Sequence, residues 1–428
     1  MNILQIHITQ AIRSMSQKQP DSRQVHLLYL TPEPWPTFRA DVVALFGKYL
    51  PRHGVTCDLV TERGLTDQDE SNLRWNAGQA ILCDVPENRA GHYLVKLWHN
   101  VRTLILADAK RYQAIQVRDL SVTALIGLII ARAKGLKFFY WLSYPKAEGQ
   151  IDRAKARGLK GGIRFWFPLV QGLTGKWLLY RLVFPKADHI FVQSRQMQLD
   201  MANHGTPLER MTPVPMGVDT EISSLEDIVP SDDPRLVGKR VVVYLGTLDR
   251  TRKIEVLFEM AALVKQVIPN ILLVLAGDTE DAAHRNWLKL ESERIAVRAQ
   301  VLWTGWLPSA QAWSYVRSAE VGLSPFPRSF LLDSASPTKA VEYMALGLPV
   351  VVNDNPDQAQ VVAESGAGLC VPLEAKAFSE AVVYLLSHPD KCLEMGQRGI
   401  DYIHQIRGYD TLSTNLADVY HRLFEAAP

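Results

Sequence analysis

At 428 residues, the chain is longer than one ordinary domain and long enough to form two. Apolar residues make up 47% of it and charged residues 21%, and this composition excludes a disordered or fibrous protein. The net charge of +2 gives no overall signal for binding to nucleic acid.

The first half of the chain alternates short apolar runs with helical patterns. VHLLYL and VTCDLV predict strands on either side of the helical segment ADVVALFGKYLPRHG. The β-rich runs ILCDV, TLILAD and AIQV follow, then an apolar helix, the strand FFYWLS, the strand HIFVQS, a helix over residues 195–204 and MTPVPM. Nearly continuous apolar strands that alternate with helices are typical of a parallel sheet with both faces covered.

The same rhythm restarts after an acidic segment that contains Ser and Pro and has no periodicity. RVVVYLG, ILLVLAG, VLWTGW, VGLSPF and PVVV predict strands separated by helices. We therefore predict an α/β protein with two doubly wound, Rossmann-like parallel-sheet domains that face a central cleft. Its parts are a first domain over 1–218, a linker over 219–238, a second domain over 239–405 and a C-terminal helix over 406–428, which we expect to cross back to the first domain.

The segment LSPFPRSFLLDSASPTKAVEYMALGLPVVVN carries the strongest chemical signal. Ser336 suits a helix N-cap, Pro337 the first helical position and Gly347 the residue beyond the helix end. The free N–H groups and the dipole of such a helix favour an anion, and a nucleotide diphosphate is one candidate. Glu342 follows about one turn later among apolar residues, where two ribose hydroxyls would satisfy its carboxylate; the alternative is an exposed helix glutamate.

EYMALGLPVVVN resembles the C-terminal signature of the family 4 retaining glycosyltransferases (glycosyl transferases group 1), which have the GT-B fold. YLGTLDRTRK, LLVLAGD, VLWTGWLP and SAEVGLSPF appear in the family order, and ADHIFVQSRQMQLDMANHG and VPMGVD in the first half are also similar to the family. The resemblance implies transfer of a sugar from a nucleotide diphosphate-sugar donor to an acceptor. We expect no metal and no cofactor, because the sequence has no Asp-x-Asp at a strand end and because side-chain cations and a helix terminus can neutralise the diphosphate.

The resemblance also implies donor-binding roles for the segment around Glu342. Glu342 matches the second glutamate of the family's E-x7-E pattern, which binds ribose, whereas Ser334 stands at the first glutamate position with Asp333 beside it. The Ser-Pro-x-Lys run resembles a variant of this motif, and its residues are Ser336, Pro337, Thr338 and Lys339.

The loop after the first strand of the second half is the expected diphosphate site. Gly246 and Lys253 match family positions, but Thr247 stands where the family has an arginine, so Arg250 or Arg252 is expected to supply the guanidinium. The alternative is a solvated loop with a run of charge. The resemblance adds Gly277 at the end of the next strand, and Trp306 and Leu307 as candidates that contact the base.

The acceptor half departs from the family, because its usual histidine loop holds Ser143 and Tyr144 here. Arg118 and Asp119 end the preceding strand, in an adjacent loop predicted to face the cleft on the acceptor side. Asp119, Ser143 and Tyr144 are the catalytic candidates, and no base is assigned, because the leaving phosphate itself can act as one. The alternative for Asp119 is an N-cap for the helix from Leu120 onward.

Residues 151–186 contain eight Lys or Arg and one acidic residue, interleaved with six aromatic residues. This pattern suits a helix at an anionic membrane surface; the alternative is a helix packed on the sheet with solvated basic residues. RNA also fits the pattern, but no recognisable RNA-binding module is present, so we predict no nucleic acid partner.

The sequence indicates a cytoplasmic chain that is peripheral at the inner face of the membrane. Its cysteines are scattered, which does not suit a disulfide-bonded secreted protein. The first 20 residues have no apolar core of a signal peptide, and no apolar run reaches the roughly 20 residues of a transmembrane helix.

Other enzyme classes fit less well. A dinucleotide-dependent oxidoreductase would need G-x-G-x-x-G after the first strand, where this chain has TPEPWP. Two alternatives to a glycosyltransferase remain: a sugar-nucleotide 2-epimerase, and a non-catalytic nucleotide-sugar-binding subunit, since Ser334, Thr247 and the missing histidine depart from the pattern. We expect the acceptor to be a saccharide, free or lipid-linked, in polysaccharide or glycoconjugate biosynthesis.

Overall fold

The computed structural model describes residues 24–37, 39–64, 74–159, 162–222 and 228–425. The N-terminal segment 1–20, Lys160 and Gly161 of the basic stretch and part of the predicted linker lie outside them.

The first half forms a seven-stranded sheet in the order β3-β2-β1-β4-β5-β6-β7, and all of its pairings are parallel. The strands are β1 (Val25–Leu30), β2 (Val55–Glu62), β3 (Ala80–Cys83), β4 (Ala114–Arg118), β5 (Lys137–Leu142), β6 (His189–Val192) and β7 (Met211–Pro213). The five inner strands are almost wholly buried, which explains their nearly continuous apolar sequences, and the edge strands β3 and β7 are only partly buried.

Helices cover both faces of this sheet. The π-helical α1 packs on one face, while α2, α3, the continuation of α5 and α6 form a layer on the other. The helices are α1 (Asp41–Tyr49), α2 (Arg89–Leu106), α3 (Ser121–Lys134), α4 (Lys146–Arg157), α5 (Ile163–Trp177, continued by Leu178–Val183) and α6 (Arg195–Asn203).

The predicted strand TLILAD is wrong, because these residues end helix α2. The side chain of Asn88 starts this helix by accepting the Gly91 N–H at 2.7 Å. Leu104 is buried against the sheet while Ile105 and Leu106 are exposed, which is the one-sided burial of an amphipathic helix.

The second half forms a six-stranded parallel sheet in the order β10-β9-β8-β11-β12-β13. The strands are β8 (Arg240–Leu245), β9 (Ile271–Ala276), β10 (Val301–Gly305), β11 (Val321–Ser324), β12 (Val350–Asn353) and β13 (Gly368–Val371). The helices are α7 (Glu255–Val267), α8 (Ala282–Arg294), α9 (Ser309–Arg317), α10 (Phe330–Asp333), α11 (Thr338–Ala345), α12 (Pro356–Ser365), α13 (Ala375–Ser387) and α14 (Pro389–Tyr402). The predicted fold class, two Rossmann-like parallel-sheet domains, is confirmed.

The chain passes between the two domains twice at one place. After β7, Val218 pairs with Gly408, where the chain turns into the last helix, α15 (Tyr409–Glu425). Tyr409, Leu412 and Tyr420 of α15 belong to the hydrophobic core of the first domain. Among the described helices, none is long and apolar enough to cross a membrane.

Candidate functional site at the interdomain cleft

The carboxyl ends of β8 and β9 meet at a pocket of about 180 Å³. Gly246 and Gly277 follow these strands with φ of 120° and 145°, which non-glycine residues rarely adopt. A Cβ atom on Gly277 would overlap the carbonyl oxygen of Gly246, so both positions keep the backbones in close approach. Predicted residues from three loops and one helix line this pocket together: Gly246, Gly277, Trp306, Leu307 and Glu342.

Helix α9 also lines the pocket, through Ser309, Ala312 and Trp313, which sequence reasoning missed. The position of α9 could have indicated this role, because the helix begins directly after the Trp306–Leu307 loop at the end of β10. Trp306 is about half-exposed at the mouth, so an aromatic face is open to a planar ring.

Helix α11 holds the Glu342 carboxylate at the pocket. The neighbouring Tyr343 is fully buried, and its hydroxyl accepts the Leu245 N–H at 2.7 Å, which joins the helix to the end of β8. Burial raises the pKa of Glu342, while the nearby Lys339 ammonium and a hydrogen bond from Thr338 oppose this rise. The arrangement gives a partly desolvated carboxylate that hydroxyl donors would stabilise.

Lys339 lies one turn before Glu342 on the same helix. Burial, together with repulsion from the Arg252 guanidinium, lowers the pKa of Lys339 to about 8, and attraction to Glu342 opposes this shift. Its ammonium lies 5.2 Å from the centre of the Tyr244 ring.

The cationic loop 247–253 directs its side chains in different ways. The Arg252 guanidinium lies over the Phe326 ring at 4.4 Å, and its buried Nε and Nη1 atoms have no hydrogen-bond partner among the described residues. Arg250 instead lies 3.6 Å from the Asp281 carboxylate, and Lys253 is exposed in a left-handed conformation. Thr247 uses its carbonyl to accept the Tyr244 hydroxyl at 2.8 Å.

The predicted N-cap at Ser336 is wrong. Pro337 occupies the N-cap position of α11, and no side chain caps this helix. The Ser336 hydroxyl instead donates to Asp357 at 2.8 Å and accepts the Met216 N–H at 3.0 Å. Buried partners that are distant in sequence therefore occupy this hydroxyl.

Ser334 and Asp333 do not line the pocket. Ser334 is fully buried, and its hydroxyl donates to Asp200 of the first domain at 2.9 Å, while its carbonyl accepts the Ser194 hydroxyl at 2.8 Å. Asp333 forms a bidentate pair with Arg328. Ser334 thus joins the two domains instead of presenting a group to the cleft.

On the acceptor side, Asp119 and Ser143 contact each other. Asp119, in a left-handed conformation with φ of 49°, accepts both the backbone N–H of Ser143, at 2.9 Å, and its hydroxyl. Leu120 occupies the N-cap of α3, and no side chain caps that helix, so the capping alternative for Asp119 is not observed.

Arg118 requires a correction, because its side chain does not face the cleft. It has no solvent exposure, its Nη2 lies 2.7 Å from the Asp41 carboxylate, and its Nη1 donates to the Tyr29 hydroxyl at 3.3 Å. The guanidinium is therefore part of a buried ion pair that an acceptor cannot reach.

Tyr144 is half-buried just after β5, and charges from both domains act on its pKa. Burial raises its pKa, whereas Arg153 of α4 and Arg252 of the cationic loop act to lower it. The charge of Arg252, in the second domain, thus acts on a side chain of the first domain. Within the described ranges, no group of three or more His, Cys, Asp or Glu side chains could hold a metal ion.

Two protein-family models match the chain. The glycosyl transferase 4-like domain matches residues 40–217, and glycosyl transferases group 1 matches residues 231–402. EpsD of Bacillus subtilis (strain 168), provisionally described as a glycosyltransferase, is 26% identical over 192 residues, which make up 43% of this chain and 47% of that protein. The match thus spans about half the length of that relative.

Solved structures share the architecture over almost the whole chain. Sucrose-phosphate synthase from Thermosynechococcus elongatus has a TM-score of 0.69 at 17% identity and covers 94% of this chain and 100% of its own. Anabaena HepE in complex with UDP-glucose has a TM-score of 0.65 at 14% identity, with 93% and 100% covered. A Listeria monocytogenes protein provisionally described as UDP-N-acetylglucosamine 2-epimerase has a TM-score of 0.58 at 12% identity, with 95% and 98% covered. At these identities the likeness shows the shared fold and nothing finer.

Proposed function

Because the chain belongs to the group 1 glycosyltransferases, with a glycosyl transferase 4-like first half, we propose that it transfers a sugar from a nucleotide diphosphate-sugar donor to a saccharide acceptor, with retention of the anomeric configuration. The observation that carries this proposal is the pocket at the ends of β8 and β9, where a partly desolvated Glu342 lies beside Lys339.

The donor binds in an extended pose along this pocket. Its ribose hydroxyls donate to Glu342, and its base rests against Trp306 and Leu307. The diphosphate contacts Lys339 and the unpartnered Nε and Nη1 atoms of Arg252, near the start of α11. Side-chain cations and a helix N-terminus neutralise the leaving group, so the donor needs no metal ion.

Transfer breaks the bond between the anomeric carbon and the β-phosphate oxygen, and it forms a bond from that carbon to an acceptor hydroxyl oxygen. The hydroxyl proton passes to the departing phosphate, which acts as the base. Among the three acceptor-side candidates, Tyr144 best fits direct contact with a substrate, because Asp119 and Ser143 are buried and bonded to each other.

The acceptor is a saccharide attached to a lipid, in polysaccharide or glycoconjugate assembly, and the chain works at the inner face of an anionic membrane. Exposed apolar side chains on α5 support the membrane partner. Ile163, Trp166, Phe167, Val170, Leu173 and Trp177 follow helical spacing and are each more than half exposed. Exposed Lys155, Arg157, Arg164 and Arg181 flank them.

Turnover of donor sugars tests the reaction class. The purified protein is incubated with UDP- and GDP-sugars, with and without membrane extracts as acceptor, and both the released nucleotide and the remaining sugar are identified. Acceptor-dependent nucleotide release supports the transferase. A changed sugar without acceptor identifies a 2-epimerase, and binding without any turnover identifies a non-catalytic subunit.

A further inference from the structure

Helices α4 and α5 form a closely packed hairpin between β5 and β6. The contact is tightest at Gly172, where a Cβ atom would lie 2.6 Å from the carbonyl oxygen of Ala147. Glu148 of α4 accepts the Tyr180 hydroxyl at 3.0 Å and lies 3.5 Å from the Lys176 ammonium. The hairpin therefore has a fixed geometry that can hold a site between its helices.

A cavity of about 320 Å³ opens between the two helices. Its six lining residues are Gln150, Arg153 and Arg157 of α4, and Phe167, Pro168 and Gln171 of α5. Two guanidinium groups and two amides converge there, and this lining includes no carboxylate. A lining rich in donors and in positive charge suits a phosphate group.

A proline inside α5 positions one of these arginines. Pro168 has no N–H, so the carbonyl of Arg164, four residues earlier, lacks its helical donor. The Nη1 of Arg157 donates to this carbonyl at 3.0 Å. The contact orients the Arg157 guanidinium at the cavity wall, and its remaining N–H groups are available to a ligand.

The cavity adjoins the apolar stripe of α5 on one side, and helix α4, which forms its other wall, contacts Tyr144. Phe167 belongs both to the cavity wall and to the exposed stripe that continues through Trp166 and Val170. On the other side, helix α4, which carries Arg153, contacts Tyr144 at Gly149, where a Cβ atom would lie 3.2 Å from the phenol ring. The charge of Arg252 in the donor cleft acts on the pKa of the same phenol. The cavity thus has the apolar stripe of α5 on one side and, on the other, a helix in contact with a phenol on which a charge of the donor cleft acts.

We propose that this cavity binds the phosphate of the acceptor, and that the acceptor is a saccharide joined through a phosphate or diphosphate to a lipid tail. The tail lies along Phe167 and Trp166, the phosphate contacts Arg153 and Arg157, and the saccharide extends past Tyr144 toward the donor. This assignment rests on the proposed function and adds the acceptor class to it.

Binding to neutral detergent micelles tests the assignment. The micelles carry farnesyl phosphate, farnesol or phosphatidylglycerol. Inorganic phosphate is tested separately, without micelles. Binding is followed by the tryptophan fluorescence of the protein. The variant R153Q/R157Q removes both cavity charges. The matched control K289Q/R298Q removes two charges from exposed positions of the second domain, outside both the cavity and the apolar stripe.

We expect wild type to prefer farnesyl phosphate over farnesol by about 10- to 100-fold, the range for charged hydrogen bonds to a phosphate. The cavity variant should lose this preference and the control should keep it. Equal loss in both variants, no preference in wild type, or equal preference for phosphatidylglycerol would overturn the proposal. The melting temperature of every variant is measured with and without UDP and GDP, and the melting transition verifies that the variant is folded. If neither nucleotide raised the melting temperature of the wild type, that result would count against the donor site alone.

Discussion

At the residue scale, Glu342 is a carboxylate whose ionised form is disfavoured by burial and stabilised by Lys339 and Thr338. We predict that Glu342→Gln lowers donor affinity by about 1.5–3 kcal/mol, because an amide oxygen accepts the ribose hydroxyls without charge assistance. Calorimetry with the nucleotide sugar measures the loss. Glu259→Gln, on an exposed position of α7, is the matched control. Unchanged affinity in Glu342→Gln would exclude the ribose role.

The lowered pKa of Lys339 predicts a pH dependence of binding. A diphosphate favours the charged lysine, so nucleotide diphosphate affinity should fall as pH rises through about 8, by up to about tenfold per pH unit. Without ligand, Lys339 is still protonated in the unfolded chain between about pH 8 and pH 10.5, whereas in the folded chain it has lost its proton. The contribution of Lys339 to the free energy of unfolding therefore rises with pH in that window. Lys339→Met should abolish the pH dependence of binding, and a wild-type affinity that stays constant from pH 7 to pH 10 would contradict the prediction.

Arg252 and Lys253 are neighbours that differ in exposure. Because Arg252 has unpartnered, buried N–H groups and Lys253 is exposed, Arg252→Gln should weaken nucleotide diphosphate binding by about 1.5–3 kcal/mol, and Lys253→Ala by less. Binding of the free nucleoside should hardly change in either variant. If Lys253→Ala has the larger effect, the family position, and not the observed geometry, identifies the phosphate ligand.

Local sequence could indicate residues at strand ends but not the partners of buried hydroxyls. The resemblance implied Gly246, Gly277, Trp306 and Leu307, which follow strands whose carboxyl ends converge in a parallel sheet. Ser336 was misassigned as a cap because its partner Asp357 lies 21 residues away.

At the scale of elements, the hairpin of α4 and α5 exposes apolar and basic side chains side by side. We predict that the chain binds anionic vesicles and that added salt weakens this binding. Trp166→Glu with Trp177→Glu should reduce binding strongly, because both indoles are more than half exposed on the stripe. Trp287→Glu, an exposed tryptophan of α8, is the control, and cosedimentation with vesicles is the measurement. Equal binding to neutral and anionic vesicles would contradict the electrostatic contribution.

The type of an element could be predicted where its side chains are buried on both faces. The prediction was wrong where an element is buried on one side only. Strands β1, β5 and β9 read as continuous apolar runs because both faces of their sheets are covered. TLILAD gave the same apolar signal, but its Ile and second Leu face outward from α2. Strand β13 was missed because it is four residues long and only partly buried at the sheet edge.

At the scale of the whole molecule, the two domains share a continuous set of polar contacts beside the donor pocket. The acidic linker stays a prediction from composition, whereas the contacts of Ser334 with Asp200 and Ser194 depend on how the domains meet. Tyr420 of α15 likewise bonds Gln116 of β4 at 2.5 Å across 304 positions, which no local pattern contains.

Arg407 is the buried cation at the place where the chain passes between the domains. Its Nη2 lies 2.6 Å from Asp357, and its Nη1 donates to the Met216 carbonyl at 3.1 Å and to Ser336 at 3.3 Å. It therefore connects the linker side of the first domain, α12 and the residues that lead into α11.

We predict that Arg407→Met lowers the free energy of unfolding by about 3–5 kcal/mol, because it leaves the Asp357 carboxylate buried without its cation. Urea unfolding followed by circular dichroism measures the change. Arg407→Met with Asp357→Leu should recover most of the loss, since replacing both partners of a buried ion pair by apolar groups is close to neutral. Because Ser336 leads into α11, the single variant should also weaken nucleotide diphosphate binding, whereas the exposed control Arg298→Met should change neither property. A double variant no more stable than the single one would show that packing at the crossing, and not the unpaired carboxylate, determines the loss.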